Sequence, residues 1–128
     1  YKDLEIFKQE LITKWEATEL FAQEKEKGSF AWILGNVFQT VWGEDVYPSI
    51  ESKASHLLYF IVKNHPFIDG NKRSWAFAFV WFLQKAWFDV KTKITPQALT
   101  AMTLLIALSN PKDKQKMVDL VILLLSSK

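Results

Sequence analysis

The chain has 128 residues and a formal net charge of +2, a balance too even to argue by itself for a nucleic-acid partner. It has no cysteine, which excludes disulfides, thiol catalysis and Cys-ligated zinc and agrees with a reducing, cytoplasmic compartment. Apolar residues make up 49%, enough for a single domain over 1–128 with its own core, yet no apolar run reaches the roughly 18 residues of a membrane span without a polar interruption.

The opening YKDLEIF has neither an initiator methionine nor a signal-peptide pattern, so a fragment of a longer chain is expected. Leu4, Phe7, Leu11, Trp15 and Leu20 recur at helical spacing, which predicts a first helix with Asp3 as its cap and Gly28 as its stop. Ser29 is the expected cap of a second helix whose one face carries Phe30, Ile33, Val37 and Val41. Gly35 weakens that helix by about 1 kcal/mol relative to alanine. In GEDVYPSI, Gly43 and Pro48 bracket a short extended loop or hairpin arm. Ser49 or Pro48 then opens a third helix through Ala54, Leu57, Leu58 and Ile61, ending near Asn64, just before His65 and Pro66. A fourth helix is predicted from about Asn71 to Phe88. It is apolar almost all round, with Trp75, Phe77, Phe79, Val80, Trp81, Phe82 and Leu83, as suits the middle of a bundle. Thr95-Pro96 and Asn110-Pro111 each supply a cap and a proline at the first helical position for a fifth and a sixth helix. The sixth runs through Met117, Leu120, Val121 and Leu124. The fold class is all-α, a compact bundle of about six helices.

Between the third and fourth helices stands HPFIDGNKR, residues 65–73, a dense group of polar chemistry between two apolar runs. A helix N-terminus carries unpaired N–H groups and a partial positive charge. Lys72 and Arg73 in its first turn are unfavourable there by roughly 0.3–1 kcal/mol each. An anion at that end resolves the conflict, and a phosphate fits best. Gly70 permits a tight turn and close approach, Asp69 is the carboxylate a Mg²⁺ ion beside phosphate oxygens needs, and His65 is a base for use near pH 7. The same residues also fit a plain interhelical loop, with His65 and Asp69 as caps and the two cations solvated.

The nine residues resemble the signature of the Fic/Doc family, His-x-Phe-x-(Asp/Glu)-(Gly/Ala)-Asn-(Gly/Lys)-Arg, at His65, Phe67, Asp69, Gly70, Asn71, Lys72 and Arg73. The resemblance implies the Fic fold over most of the chain, with GEDVYPSI as the flap that docks the target through Glu44, Asp45, Val46 and Tyr47. It implies His65 as the general base, Phe67 as the packing residue of the loop and Asp69 as the Mg²⁺ ligand. Gly70, Asn71, Lys72 and Arg73 would form the phosphate site for ATP. The activity implied is transfer of AMP from ATP to a Ser, Thr or Tyr hydroxyl of a protein substrate, that is, AMPylation by a nucleotidyltransferase.

Two positions depart from the AMP-transferring pattern. Lys72 stands where many such members carry Gly, and Ala76 stands where they carry a second Arg. Lys72 resembles the Doc branch, whose members can bind ATP reversed and transfer the γ-phosphoryl group, whereas Gly70 resembles the AMP-transfer branch. Kinase-like transfer and a catalytically weak nucleotide-binding or interaction module therefore stand as alternatives. The family's inhibitory pattern, (Ser/Thr)-x-x-x-Glu-(Gly/Asn), has no match, so either an antitoxin or inhibitory segment stands outside this chain or none exists. Nucleic acid would be met only through a missing N-terminal region, and secretion into a host cell is left open. His56 is expected to be a surface or packing residue; EKEK at 24–27 and KDKQK at 112–116 are expected to be solvated faces. The six tryptophans are expected in the core, with Trp42 and Trp75 near enough to the loop to meet adenine.

Overall fold

The computed structural model describes residues 4–18, 24, 26, 28–41, 44–64, 72–86 and 94–126, with the side chains of residues 4 and 72–74 also left undescribed. Among these residues the order is α1 (Leu4–Glu16), α2 (Ser29–Val37), β1 (Thr40–Val41), β2 (Glu44–Asp45), α3 (Ile50–Asn64), α4 (Lys72–Lys85), α5 (Pro96–Leu108) and α6 (Lys114–Ser126). A 3₁₀ turn at Pro111–Asp113 leads into α6. The all-α expectation holds: the sheet is a single antiparallel pair, with Thr40 opposite Asp45 and Val41 opposite Glu44.

The centre of the bundle is α3, which packs against α2, α4, α5 and α6. Ala54, Leu57, Leu58, Ile61 and Val62 are fully buried on it. This corrects the placing of α4 in the middle. Phe79, Phe82 and Leu83 of α4 are buried, but Phe77 is 48% exposed, because α4 packs chiefly on α3 and α5 and leaves one flank open. The apolar run of α4 reflects a large aromatic interface on one side and an uncovered ring on the other.

Aromatic rings fasten α1. Trp15 stacks on Phe30 of α2 at 3.9 Å and meets Trp81 of α4 edge-on at 5.2 Å; Phe7 meets Phe38 edge-on at 5.7 Å, and Phe38 meets Phe82 at 6.2 Å. Edge and offset contacts of this kind favour the ring quadrupoles as well as burying area.

The first helix ends well before Gly28. The Ala17 N–H donates to the Lys14 carbonyl at 3.2 Å, and the Thr18 N–H and hydroxyl both donate to the Trp15 carbonyl, at 2.9 and 2.8 Å. These short-range bonds satisfy terminal carbonyls and close the helix. Gly28 instead sits at the N-cap of α2 with φ +92°, a conformation that suits glycine. Ser29 does not cap α2: its hydroxyl donates to the Glu26 carbonyl. The capping acceptor is Glu24, whose carboxylate receives the Phe30 N–H at 3.0 Å and the Trp15 indole N–H at 2.9 Å. Glu24 is therefore buried rather than solvated, held by two donors and by the positive end of α2. Val41 leaves the α2 stripe for the exposed hairpin.

Ser49 caps α3, accepting from the Ser52 N–H at 2.9 Å, and Thr95 caps α5, accepting from the Ala98 N–H at 3.0 Å. Asn110 caps the 3₁₀ turn rather than α6 itself. The buried stripe of α6 is Val118, Val121 and Leu125, whereas Leu120, on the predicted face, is exposed. Lys63 ties the end of α3 to the end of α5 by donating to the Ser109 carbonyl at 2.6 Å.

Truncation at the centre and at the edge of the bundle should differ sharply. Leu57→Ala is expected to lower stability by about 2–5 kcal/mol. Leu108→Ala, at a side chain 85% exposed, should stay within about 0.5 kcal/mol. Urea midpoints at unchanged m-value measure both.

Candidate functional site

The motif falls between two packed helices. Asn64 is the last residue of α3 and Lys72 the first of α4, and the two helices pack on each other. His65, Phe67, Asp69, Gly70 and Asn71 lie outside the described residues. Lys72 and Arg73 form the first two residues of α4, with helical backbone and side chains outside the description. That first turn contains no acidic residue. The positive end of a 14-residue helix thus follows Asn71 without an internal counter-charge in its own turn.

The expected flap is a hairpin joined to the other end of α3. The Val46 N–H donates to the Gln39 carbonyl at 3.1 Å, extending the β1–β2 pairing by one step. Its four named residues divide into two pairs. Glu44 and Val46 are exposed, beside Thr40 and Val41. Asp45 and Tyr47 turn toward α3.

Their partners there are Lys53 and His56. The Lys53 ammonium lies 3.3 Å from Asp45 Oδ2, donates to the Tyr47 carbonyl and stands 5.3 Å over the Phe38 ring. Lys53 is 1% exposed, so its charge is held by these groups and not by water. The Tyr47 ring stacks on the His56 imidazole, centroids 3.6 Å apart and planes 19° from parallel. Burial pushes the Tyr47 phenol above its ordinary pKa.

His56 is a packing residue. It is 6% exposed, its Nδ1 lies 2.8 Å from the Ser52 carbonyl, and its other flank faces Phe60. Burial lowers its pKa below the ordinary value, an effect that the Ser52 carbonyl opposes; Lys114 lowers it further and Asp119 raises it. Neutral imidazole is thus the form that the fold selects.

Trp75 is buried at 5% exposure, so its ring belongs to the core of α4; Trp42 lies outside the described residues. An apolar cleft of about 650 Å³ separates α4 from α5, lined by Phe77, Val80, Trp81, Ile94, Pro96 and Leu99 with Gln84, Thr95 and Thr100 at its polar points. It offers no charged group and does not suit a polyphosphate. Among the described residues no group of three or more His, Asp or Glu could hold a metal ion, and no helix is long and apolar enough to cross a membrane.

Lys53 was not among the residues singled out from the sequence. The available signal was its phase: Lys53, Leu57 and Ile61 are four residues apart and share the buried stripe of α3. A lysine in that stripe needs an anionic partner, and Asp45 lies in the loop just upstream.

A model of the Fic/DOC family matches residues 3–83. A segment of 40 residues is 50% identical to Toxin Doc of Mycolicibacterium smegmatis (strain ATCC 700084 / mc(2)155), covering 30% of this chain and 31% of that protein. The matched segment therefore spans less than a third of that relative. No solved structure matches the chain.

The depressed pKa of His56 has a sign. A histidine whose folded pKa lies below its unfolded value stabilises the fold fully above the unfolded pKa, and that contribution is lost as pH falls below about 6.5. Thermal midpoints of the native chain should therefore drop on acidification through this range, and His56→Gln should flatten the drop.

Proposed function

The chain belongs to the Fic/DOC family, and on that premise we propose that it is an ATP-dependent transferase that modifies a hydroxyl side chain of a target protein, with AMP as the group transferred. The observation that carries this reading is the complete signature HPFIDGNKR running into the start of α4, whose first turn holds Lys72 and Arg73 and no acidic residue of its own. Fold alone would not license an activity; the residues at this one place do.

In this reading His65 takes the proton from a Ser, Thr or Tyr hydroxyl as its oxygen attacks the α-phosphorus of ATP. The new bond is oxygen to α-phosphorus; the bond broken joins that phosphorus to the bridging oxygen of the β-phosphate, and pyrophosphate leaves. Gly70 and Asn71 shape the site that receives the phosphates, and Arg73 grips their oxygens with a planar fork. Lys72 adds a second cation at the same helix end. Asp69 would hold Mg²⁺, which supplies charge neutralisation on the phosphates when bound. Phe67 would fix the loop by packing. Glu44 and Val46, exposed on the hairpin, would meet the target.

A second reading, transfer of the γ-phosphoryl group, is favoured by three observations. Lys72 replaces the glycine of many AMP-transferring members; Ala76, partly buried against the core, replaces their second arginine; and the matched relative is named Toxin Doc. The same name suggests that an antitoxin or an inhibitory segment outside this chain restrains the site. We read the protein as cytoplasmic.

ATP labelled at either the α- or the γ-phosphate, incubated with the chain and a cell lysate, tests the proposal. Label retained on protein from the α position supports AMP transfer; label from the γ position only supports the kinase reading. His65→Ala should lower either by about 10²–10⁴-fold. ATP that binds without either label being transferred would replace both with a binding module, and full labelling by His65→Ala would overturn the base assignment.

A further inference from the structure

The hairpin cannot hold itself. Each strand contributes two residues, and an isolated two-stranded pair is marginal in water even when longer. Among its described residues Thr40, Val41, Glu44 and Val46 are all exposed and bury no apolar face. The described contacts that fix it against the bundle come from α3. Lys53 pairs with Asp45 Oδ2 at 3.3 Å and donates to the Tyr47 carbonyl, and the Tyr47 ring lies on His56. Asp45 Oδ1 is buried without a hydrogen-bond partner among the described residues, so the placing of that carboxylate depends heavily on Lys53.

An ammonium ion in this position is a poor choice for stability alone. Burying an ion pair costs desolvation that the mutual attraction often fails to recover, and well-packed apolar replacements of whole pairs are often neutral or stabilising. Leucine or methionine would suit the stripe of Leu57 and Ile61 equally well. What a buried pair supplies and an apolar contact does not is a fixed register between two elements.

We propose that Lys53 is the positioning residue of the hairpin: from inside α3 it fixes Asp45 and the Tyr47 backbone, and so sets where the exposed residues Glu44 and Val46 meet a target protein. The role toward a target rests on the transferase reading above; the anchoring does not. Asp45 and Tyr47 then serve the site from behind, and Glu44 and Val46 from the front.

The test uses the double variant Asp45→Asn/Lys53→Met, which removes both charges together and leaves no carboxylate stranded. Its thermal midpoint should stay near that of the native chain, and amide exchange at Leu57, Leu58 and Ile61 should be unchanged. Exchange at Asp45 and Val46 should rise by roughly 10-fold or more, because the hairpin then opens without the bundle opening. Calorimetric affinity for ATP should be retained, while label transfer from ATP to lysate proteins should fall by on the order of 10²-fold, the effect of a misplaced reactant. Native exchange at Asp45 and Val46 in the folded double variant would overturn the anchoring. Native transfer by a variant whose hairpin has come loose would overturn the positioning role. Absence of transfer by the native chain would instead overturn the functional reading, and the exchange data would still decide the anchor. The single variant Lys53→Met, with Asp45 left unpaired, should melt lower than the double variant; equal melting would show that the pair does not form.

Discussion

A lysine ammonium inside an apolar bundle must have its charge answered, and much of this structure follows from where that answer comes from. α3 is enclosed by four other helices, and Lys53 lies on its buried stripe. The groups that answer it are Asp45, in the two-stranded hairpin, and the carbonyl of Tyr47, two residues beyond. One electrostatic requirement therefore links the most buried helix to an exposed hairpin. The tie acts across the same helix whose other end leads into HPFIDGNKR, so a single rod carries the hairpin at its start and the motif after its finish.

A similar economy operates at His56. The imidazole is used as a flat surface: Tyr47 lies on one side of it, Phe60 flanks it, and burial disfavours its charged form. Titratable residues thus perform structural work at the hairpin, whereas the signature residues expected to do chemistry follow Asn64 in the chain. The distinction matters when a family resemblance is carried onto a chain residue by residue: of the four residues assigned to a docking flap, two face α3 and two face outward.

Legibility in the sequence followed physical range. Caps built from a side chain and the next few amides were readable at Ser49 and Thr95, but not at Ser29, whose expected place is taken by the carboxylate of Glu24. Periodicity identified the helices and the stripe of α3, because burial repeats with the helical turn. Contacts across sequence were not readable. Glu24 sat in a charge run that looks solvated, yet its carboxylate is buried by donors on two helices. α4 looked central because composition does not reveal which flank a neighbour covers. At the site the nine-residue signature made the family legible, which the match over residues 3–83 bears out, while the Lys53 tie needed knowledge of which segment folds back over α3.

Glu24 has one more implication, for how this architecture tolerates change. Its carboxylate joins the indole of Trp15 on one helix to the Phe30 amide at the start of the next, so a side chain clasps those two rods. Loop-closure entropy grows only slowly with length, so a clasp of this kind tolerates a change in the number of residues between the elements it joins. Added residues between Thr18 and Glu24 would therefore cost the bundle little, provided that Glu24 still reaches both donors.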